Sequence, residues 1–241
     1  MTRFRIGIFG GTFDPVHQGH IEVARRLRAR LSLDWIEFVP AYRPPHKLST
    51  PEADAWDRFA MLILATKEDE DLYVSTIELE AAEAVYTIDT IRQLKPMWGA
   101  RAELYFIIGA DSFEEITTWK EYEHLLNSCH FAVVTRPGYS VRAENLPESI
   151  RERIVDLRDG FPGDQATEGY RIYLCRDVWN PISSTAIRHA LKHQQQVDGL
   201  IPVVQQFIEK YQLYRDEHEA QTAKTTIARA DKLGRKPHYS H

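Results

Sequence analysis

The chain has 241 residues, 43% of them hydrophobic and 27% charged, with a formal net charge of -5. That length and apolar fraction are enough for a full core, and an α/β architecture can use most of such a chain as one domain. The acidic balance argues against non-specific nucleic-acid binding and against a membrane-surface role, while a local basic pocket for phosphates stays compatible with it.

Met1-Thr2-Arg3 leads directly into a short apolar run, so no signal peptide is expected, and no run approaches membrane-spanning length. The first strand is expected over Phe4 to Phe9. A helix follows, with Ile21, Ala24, Leu27 and Leu31 at helical spacing. Further strands are expected at Trp35 to Val39, Tyr73 to Ile77, Glu103 to Ile108, Phe131 to Thr135 and Arg171 to Cys175. Between and after them, helical patterns occupy Ala53 to Ala65, Ile88 to Leu94, Tyr122 to Asn127, Ala186 to Lys192 and Val203 to Tyr211. Strand and helix alternating in this order predict an α/β, Rossmann-like, doubly wound parallel sheet with helices on both faces and ligands at the carboxyl ends of the strands. The elements span residues 1–215. Residues 216–241 are polar, mixed in charge, and read as a tail. Cys129 and Cys175 lack C-x-x-C spacing and fit reduced thiols in a cytoplasmic protein.

Chemistry concentrates directly after the first strand, in Gly10-Gly11-Thr12-Phe13-Asp14-Pro15-Val16-His17-Gln18-Gly19-His20. Glycines without a Cβ let the main chain take positive φ and approach a ligand. His20 falls in the first turn of a helix, where unpaired N–H groups and the macrodipole favour phosphate. Two other phosphate loops do not fit: there is no G-x-x-x-x-G-K-[ST], and Gly7 is followed by Ile8 and Phe9 rather than a G-x-G-x-x-G. Read alone, His17 and His20 could equally be turn histidines satisfied by carbonyls. Zinc would need further ligands, and neither cysteine lies nearby in sequence.

Two more segments carry cations. Pro40-Ala41-Tyr42-Arg43-Pro44-Pro45-His46-Lys47 is a proline-stiffened connection that either clamps triphosphate or merely stays solvated. Near the other end, Ile182-Ser183-Ser184-Thr185-Ala186-Ile187-Arg188 opens a helix, with Ser183 or Ser184 as N-cap and Arg188 one turn inside, able to reach an anion. Asp111, after Gly109-Ala110, is a candidate helix cap as well as a candidate ligand for hydroxyls.

The extended H-x-G-H run, together with P-A-Y-R-P-P-H-K, Y-T-I-D-T at Tyr86 to Thr90, F-I-I-G-A-D-S at Phe106 to Ser112, T-W-K-E-Y-E at Thr118 to Glu123, R-P-G at Arg136 to Gly138 and I-S-S-T-A-I-R, resembles the bacterial nicotinate-nucleotide adenylyltransferases of the H-x-G-H nucleotidylyltransferase superfamily. The resemblance runs from about Arg5 to about Arg215. It implies condensation of nicotinate mononucleotide with ATP, giving deamido-NAD and pyrophosphate. It implies that His20, His17, Lys47 and Arg188 serve the chemistry, with Gly10, Gly11, Thr12, Phe13, Gly109, Asp111, Ser183, Ser184 and Thr185 completing the ATP site. Thr87, Trp119, Lys120 and Arg136 match the pocket for the mononucleotide, where the indole stacks on the pyridine ring. Magnesium is expected to arrive on the triphosphate, with no dedicated metal site in the protein. ATP and nicotinate mononucleotide are the expected partners, without nucleic acid or membrane, and a homo-oligomer is left open. The segment Glu80 to Val85 lacks the basic residue and the serine that the family often shows there, so a nicotinamide or dual-specificity enzyme is the alternative. A non-catalytic nucleotide sensor is a further one.

Overall fold

A computed structural model describes residues 3–44, 50–135, 139, 141–157, 169–176, 178 and 180–215. The assignments of Lys47 and Arg136, and the tail at 216–241, lie outside these residues.

Apolar residues alternating along β1 (Phe4–Gly11) and β4 (Ala102–Gly109) point to opposite sides of one sheet. The remaining strands are β2 (Trp35–Pro40), β3 (Leu72–Val74), β5 (His130–Val134), β6 (Ile154–Asp156) and β7 (Ile172–Cys175). Their order is β3-β2-β1-β4-β5-β7-β6, and every pairing is parallel. Ile6, Ile8, Leu104, Phe106 and Ile108 face α4 (Thr87–Trp98), α5 (Ala110–Glu114) and α6 (Tyr122–Leu126), which contribute Ile88, Ile91, Phe113, Leu125 and others to one core. Tyr105 and Ile107 face the other core with Leu27 of α1 (Gln18–Arg30), Met61 of α2 (Ala55–Thr66), Ile187 of α8 (Ser184–Lys192) and Val204 of α9 (Pro202–Tyr211). Each fully buried Leu, Ile or Phe contributes about 1.5–3 kcal/mol, so the two layers hold the sheet from both sides. The sheet is doubly wound, as the alternation of elements predicts. Its order reverses between β1 and β4, where neighbouring chains depart to opposite faces and leave a crevice at the carboxyl edge.

Several boundaries differ from the sequence reading. Residues 75–77 leave the strand expected to reach Ile77: the Ser75 N–H makes a last bond to the Phe38 carbonyl at 2.8 Å, and Ile77 opens α3 (Ile77–Glu80) and packs on the α4 side. The helix expected to stop at Leu94 runs on through Pro96 to Trp98 and ends at Gly99, whose φ of 57° suits glycine. Edge strand β6 and the short helices α5 and α7 (Glu148–Arg151) have three to five residues each, too few for a periodic pattern to emerge.

Candidate active site

Gly10 and Gly11 are the last two residues of β1, in register with Val39 and Pro40 of β2. Neither has the positive φ expected from the sequence; that conformation falls instead on Phe13, with φ 51°. Gly11 is required for a different reason. A Cβ there would lie 2.8 Å from Phe13 Cζ, so the glycine makes room for a ring that is 3% exposed. Phe13 meets Phe9, Phe38 and His20 edge-on, with centroids 5.6, 5.4 and 5.1 Å away. Its side chain belongs to the core, which leaves its backbone to face a ligand.

The chain then enters α1 with His17 as N-cap in extended conformation. The His17 N–H donates to His20 Nδ1 at 3.3 Å, so His20 caps the helix from its third position, and the proton of its neutral form is assigned to Nε2. The two imidazoles stack with centroids 3.7 Å apart. They are not alike. His17 is 4% exposed, burial lowers its pKa to about 4, and its Nδ1 has no hydrogen-bond partner among the described residues. His17 is therefore neutral at pH 7. His20 is only partly buried.

The helix start at α8 is fastened to this loop. Ser183 occupies the N-cap position but makes no side-chain capping bond, and Ser184, expected as an alternative cap, donates its hydroxyl to the Pro15 carbonyl at 2.9 Å. Arg188 Nη1 donates to the Asp14 carbonyl at 2.7 Å and its Nε to Glu52 Oε1 at 3.0 Å. Ser183 and Thr185 stay exposed at the helix end. Two motifs more than 160 residues apart in sequence thus form one surface.

Sequence reasoning missed what holds that surface from beneath. Asp14, 4% exposed, accepts from the Glu52 and Ala53 N–H groups at 2.8 and 3.1 Å and from the Tyr214 hydroxyl at 2.7 Å. Arg58, fully buried on α2, donates to the carbonyls of Thr12, Tyr42 and Ala53 at 2.7, 3.0 and 3.3 Å. Burial lowers its pKa, and a guanidinium stays charged even so. Arg58 was legible in one respect: it stands at the inward spacing of α2, three residues after buried Ala55 and three before buried Met61.

On the other face, Gly109 ends β4 and is the N-cap of α5, with open space where a Cβ would point. Asp111 is exposed in the first turn of α5, so it is not the helix cap considered from the sequence. Thr87 is the first residue of α4, after N-cap Tyr86. Trp119 is partly buried against the core and meets Phe106 edge-on at 6.4 Å, which makes it core and surface at once. Lys120 Nζ pairs with Asp89 Oδ2 at 2.8 Å and lies 4.9 Å above the Tyr86 ring, drawing the Trp119-Lys120 segment onto the first turn of α4. Arg92 adds pairs to Asp89 and Glu121. The residues expected around the pyridine ring that fall within the described chain are brought together.

A family model described as cytidylyltransferase-like matches residues 8–190, which spans both loop motifs. A Thermoanaerobacter protein named a probable nicotinate-nucleotide adenylyltransferase is 39% identical over 216 residues, covering 89% of this chain and 96% of the relative. The chain belongs to the nicotinate-nucleotide adenylyltransferase family. A Moorella thermoacetica relative of the same name is 39% identical over 212 residues, covering 88% of this chain and 92% of its own. The Plasmodium falciparum nicotinic acid mononucleotide adenylyltransferase, solved in complex with NaAD, shares the fold with a TM-score of 0.66 at 22% identity, over 88% of this chain and 98% of that one.

In this adenylyltransferase-family chain, no group of three or more His, Cys, Asp or Glu side chains among the described residues is placed to hold a metal ion. No helix of the described residues is long and apolar enough to cross a membrane. Cys129 and Cys175 are both buried, and burial pushes the Cys129 thiol up to about 12, so it stays protonated and unreactive.

Proposed function

We propose that this chain condenses nicotinate mononucleotide with ATP to give nicotinate adenine dinucleotide and pyrophosphate, as a cytoplasmic step of NAD synthesis. The observation that carries the reading is the junction of the two motifs, with Ser184 on Pro15 and Arg188 on Asp14. It brings the exposed start of α8, a guanidinium and His20 to the edge of the sheet where an α/β fold takes its ligand. A phosphate oxygen of the mononucleotide attacks the α-phosphorus of ATP, a P–O bond forms, and the bond to the β-phosphate oxygen breaks in line, releasing pyrophosphate. Such a transfer asks for alignment and positive charge more than for covalent participation.

His20 Nε2 and Arg188 supply donors to the phosphates in this reading, joined by Lys47 and, through their main chains, by residues 10–13. Neutral His17 serves as the stacked support that orients His20. Ser183, Ser184 and Thr185 present the α8 start, and Gly109 and Asp111 hold the adenosine ribose. Magnesium enters as the counter-ion of the triphosphate, part of the substrate, and neutralises charge there. Trp119 stacks on the pyridine ring beside Thr87, Lys120 and Arg136.

Preference for nicotinate over nicotinamide rests on main-chain N–H donors at the start of α4 and beside Lys120, since the Lys120 ammonium is already paired with Asp89. An amide would leave a buried donor unpaired at about 1–3 kcal/mol, so kcat/KM for nicotinate mononucleotide is expected to be roughly 10²-fold higher. Pyrophosphate release measured with each mononucleotide tests both levels. No release with either would reject the reaction, and equal kcat/KM would reassign the chain to a dual-specificity enzyme.

A further inference from the structure

We propose that Glu52 sets the affinity for nucleotide: its carboxylate pairs with Arg188 and must be displaced before that guanidinium can take phosphate. The proposal rests on the ATP site described above, and it concerns a residue that none of the sequence motifs includes.

Glu52 Oε1 accepts from Arg188 Nε at 3.0 Å, and Oε2 accepts from Lys192 Nζ, one turn further along α8, at 2.8 Å. The Nε edge is one of the donor edges an incoming phosphate oxygen would use. Nη1 donates to the Asp14 carbonyl at 2.7 Å and lies 3.9 Å from the Asp14 carboxylate, which holds the guanidinium against the first loop, so the group is already in place and Glu52 is the counter-ion that has to change. The Glu52 main chain cannot drift away, because its N–H is bonded to the buried Asp14 carboxylate at 2.8 Å and the next N–H at 3.1 Å. Displacement is therefore a side-chain rotation. Partial burial disfavours charge on Glu52, but the hydrogen bonds from Lys192 and Arg188 outweigh it and hold the carboxyl below its ordinary value, so it is an anion at neutral pH. When phosphate takes Arg188, Glu52 keeps Lys192 as partner, and no charge is left stranded. Competition of this kind lowers affinity for ATP, and for pyrophosphate as product, without touching the reacting atoms.

The test is calorimetric titration of the full chain with MgATP, comparing the unaltered protein with Glu52→Gln, Arg188→Ala and the double variant. Glu52→Gln is expected to bind MgATP roughly fivefold more tightly, the scale of one partly exposed ion pair, and the gain is expected to vanish in the Arg188→Ala background. Weaker or unchanged binding by Glu52→Gln would overturn the proposal by making Glu52 a support for Arg188 rather than its competitor. A gain that persists without Arg188 would overturn it too, as a general charge effect. Glu52→Ala runs beside it, and loss of the folded state in both Glu52 variants would assign the residue to structure and refute the proposal. Pyrophosphate release is measured separately: tighter binding by Glu52→Gln without any turnover of the unaltered chain would sink the proposed reaction and leave the role of Glu52 standing.

Discussion

His17 and His20 stand three residues apart, at the end of the first loop and in the first turn of α1, and burial sets His17 apart. His17, like His130 at the start of β5, has its pKa lowered to about 4, chiefly by desolvation, against an ordinary value of 6.5. The unfolded chain therefore binds protons below pH 6.5 that the native form refuses until about pH 4, and stability falls as pH is lowered through that window. The loss is about 1 kcal/mol per pH unit for each histidine and ends once the native form also protonates. Urea midpoints from pH 7 to 4 are expected to show this slope, and His130→Gln to lose part of it; an unchanged slope would mean that His130 is not buried as a neutral ring. For His20, removal of one preorganised donor by His20→Ala is expected to lower kcat by about 10²–10³, with a loss of melting temperature of no more than a few degrees from the missing cap. A near-normal kcat would exclude it from the transition state. Both histidines were legible in the sequence as a pair at the junction of the first loop and its helix. Their inequality was not, because the burial of each ring is set by tertiary packing and not by its place in the motif.

At the scale of elements, α2 does more than cover the sheet. Its Arg58 gathers carbonyls from the first loop, from the start of the proline connection and from its own N-terminal approach, so three irregular segments share one buried cation. Arg58→Ala strands those carbonyls, and the expected cost is about 3 kcal/mol or more, a fall of roughly 6 °C or more in Tm for a chain of this size. Arg58→Lys, which keeps the charge but not the fork of donors, is expected to recover only part of it. Thermal unfolding of the two variants checks this, and a small loss in Arg58→Ala would show that water satisfies the carbonyls instead. Helix and strand cores were legible wherever periodicity ran for two turns or five residues. It failed at β3, where Ser75 ends the ladder and Ile77 turns to the opposite core, and at the three-residue β6, where pairing with β7 and not local pattern makes the strand.

For the whole molecule, the C-terminal end of the described chain closes onto its beginning. Tyr214, 6% exposed, donates to Asp14 across 200 positions of sequence, and burial together with the Asp14 carboxylate raises its pKa. Tyr214→Phe removes one buried hydrogen bond and is expected to cost about 1–2 kcal/mol, read as a lower urea midpoint at constant slope. Residues 216–241 are polar and offer little contiguous apolar sequence, and a chain ending at Asp216 is expected to keep its Tm within a few degrees and its turnover intact. A large loss of either would show that the tail docks on the body.

By itself, the sequence determined the alternation of strands and helices, hence a parallel doubly wound sheet, and it marked the segments that carry cations and hydroxyls to one edge. Those are consequences of local periodicity and of strand-to-helix turns, which neighbouring residues specify. The tertiary structure decided which of those groups are charged and which are occupied: that Phe13 is core, that His17 is neutral, that Ser184 holds a loop, and that Arg188 already carries Glu52. Charge and occupancy depend on desolvation and on partners tens to hundreds of residues away, and no local pattern encodes them.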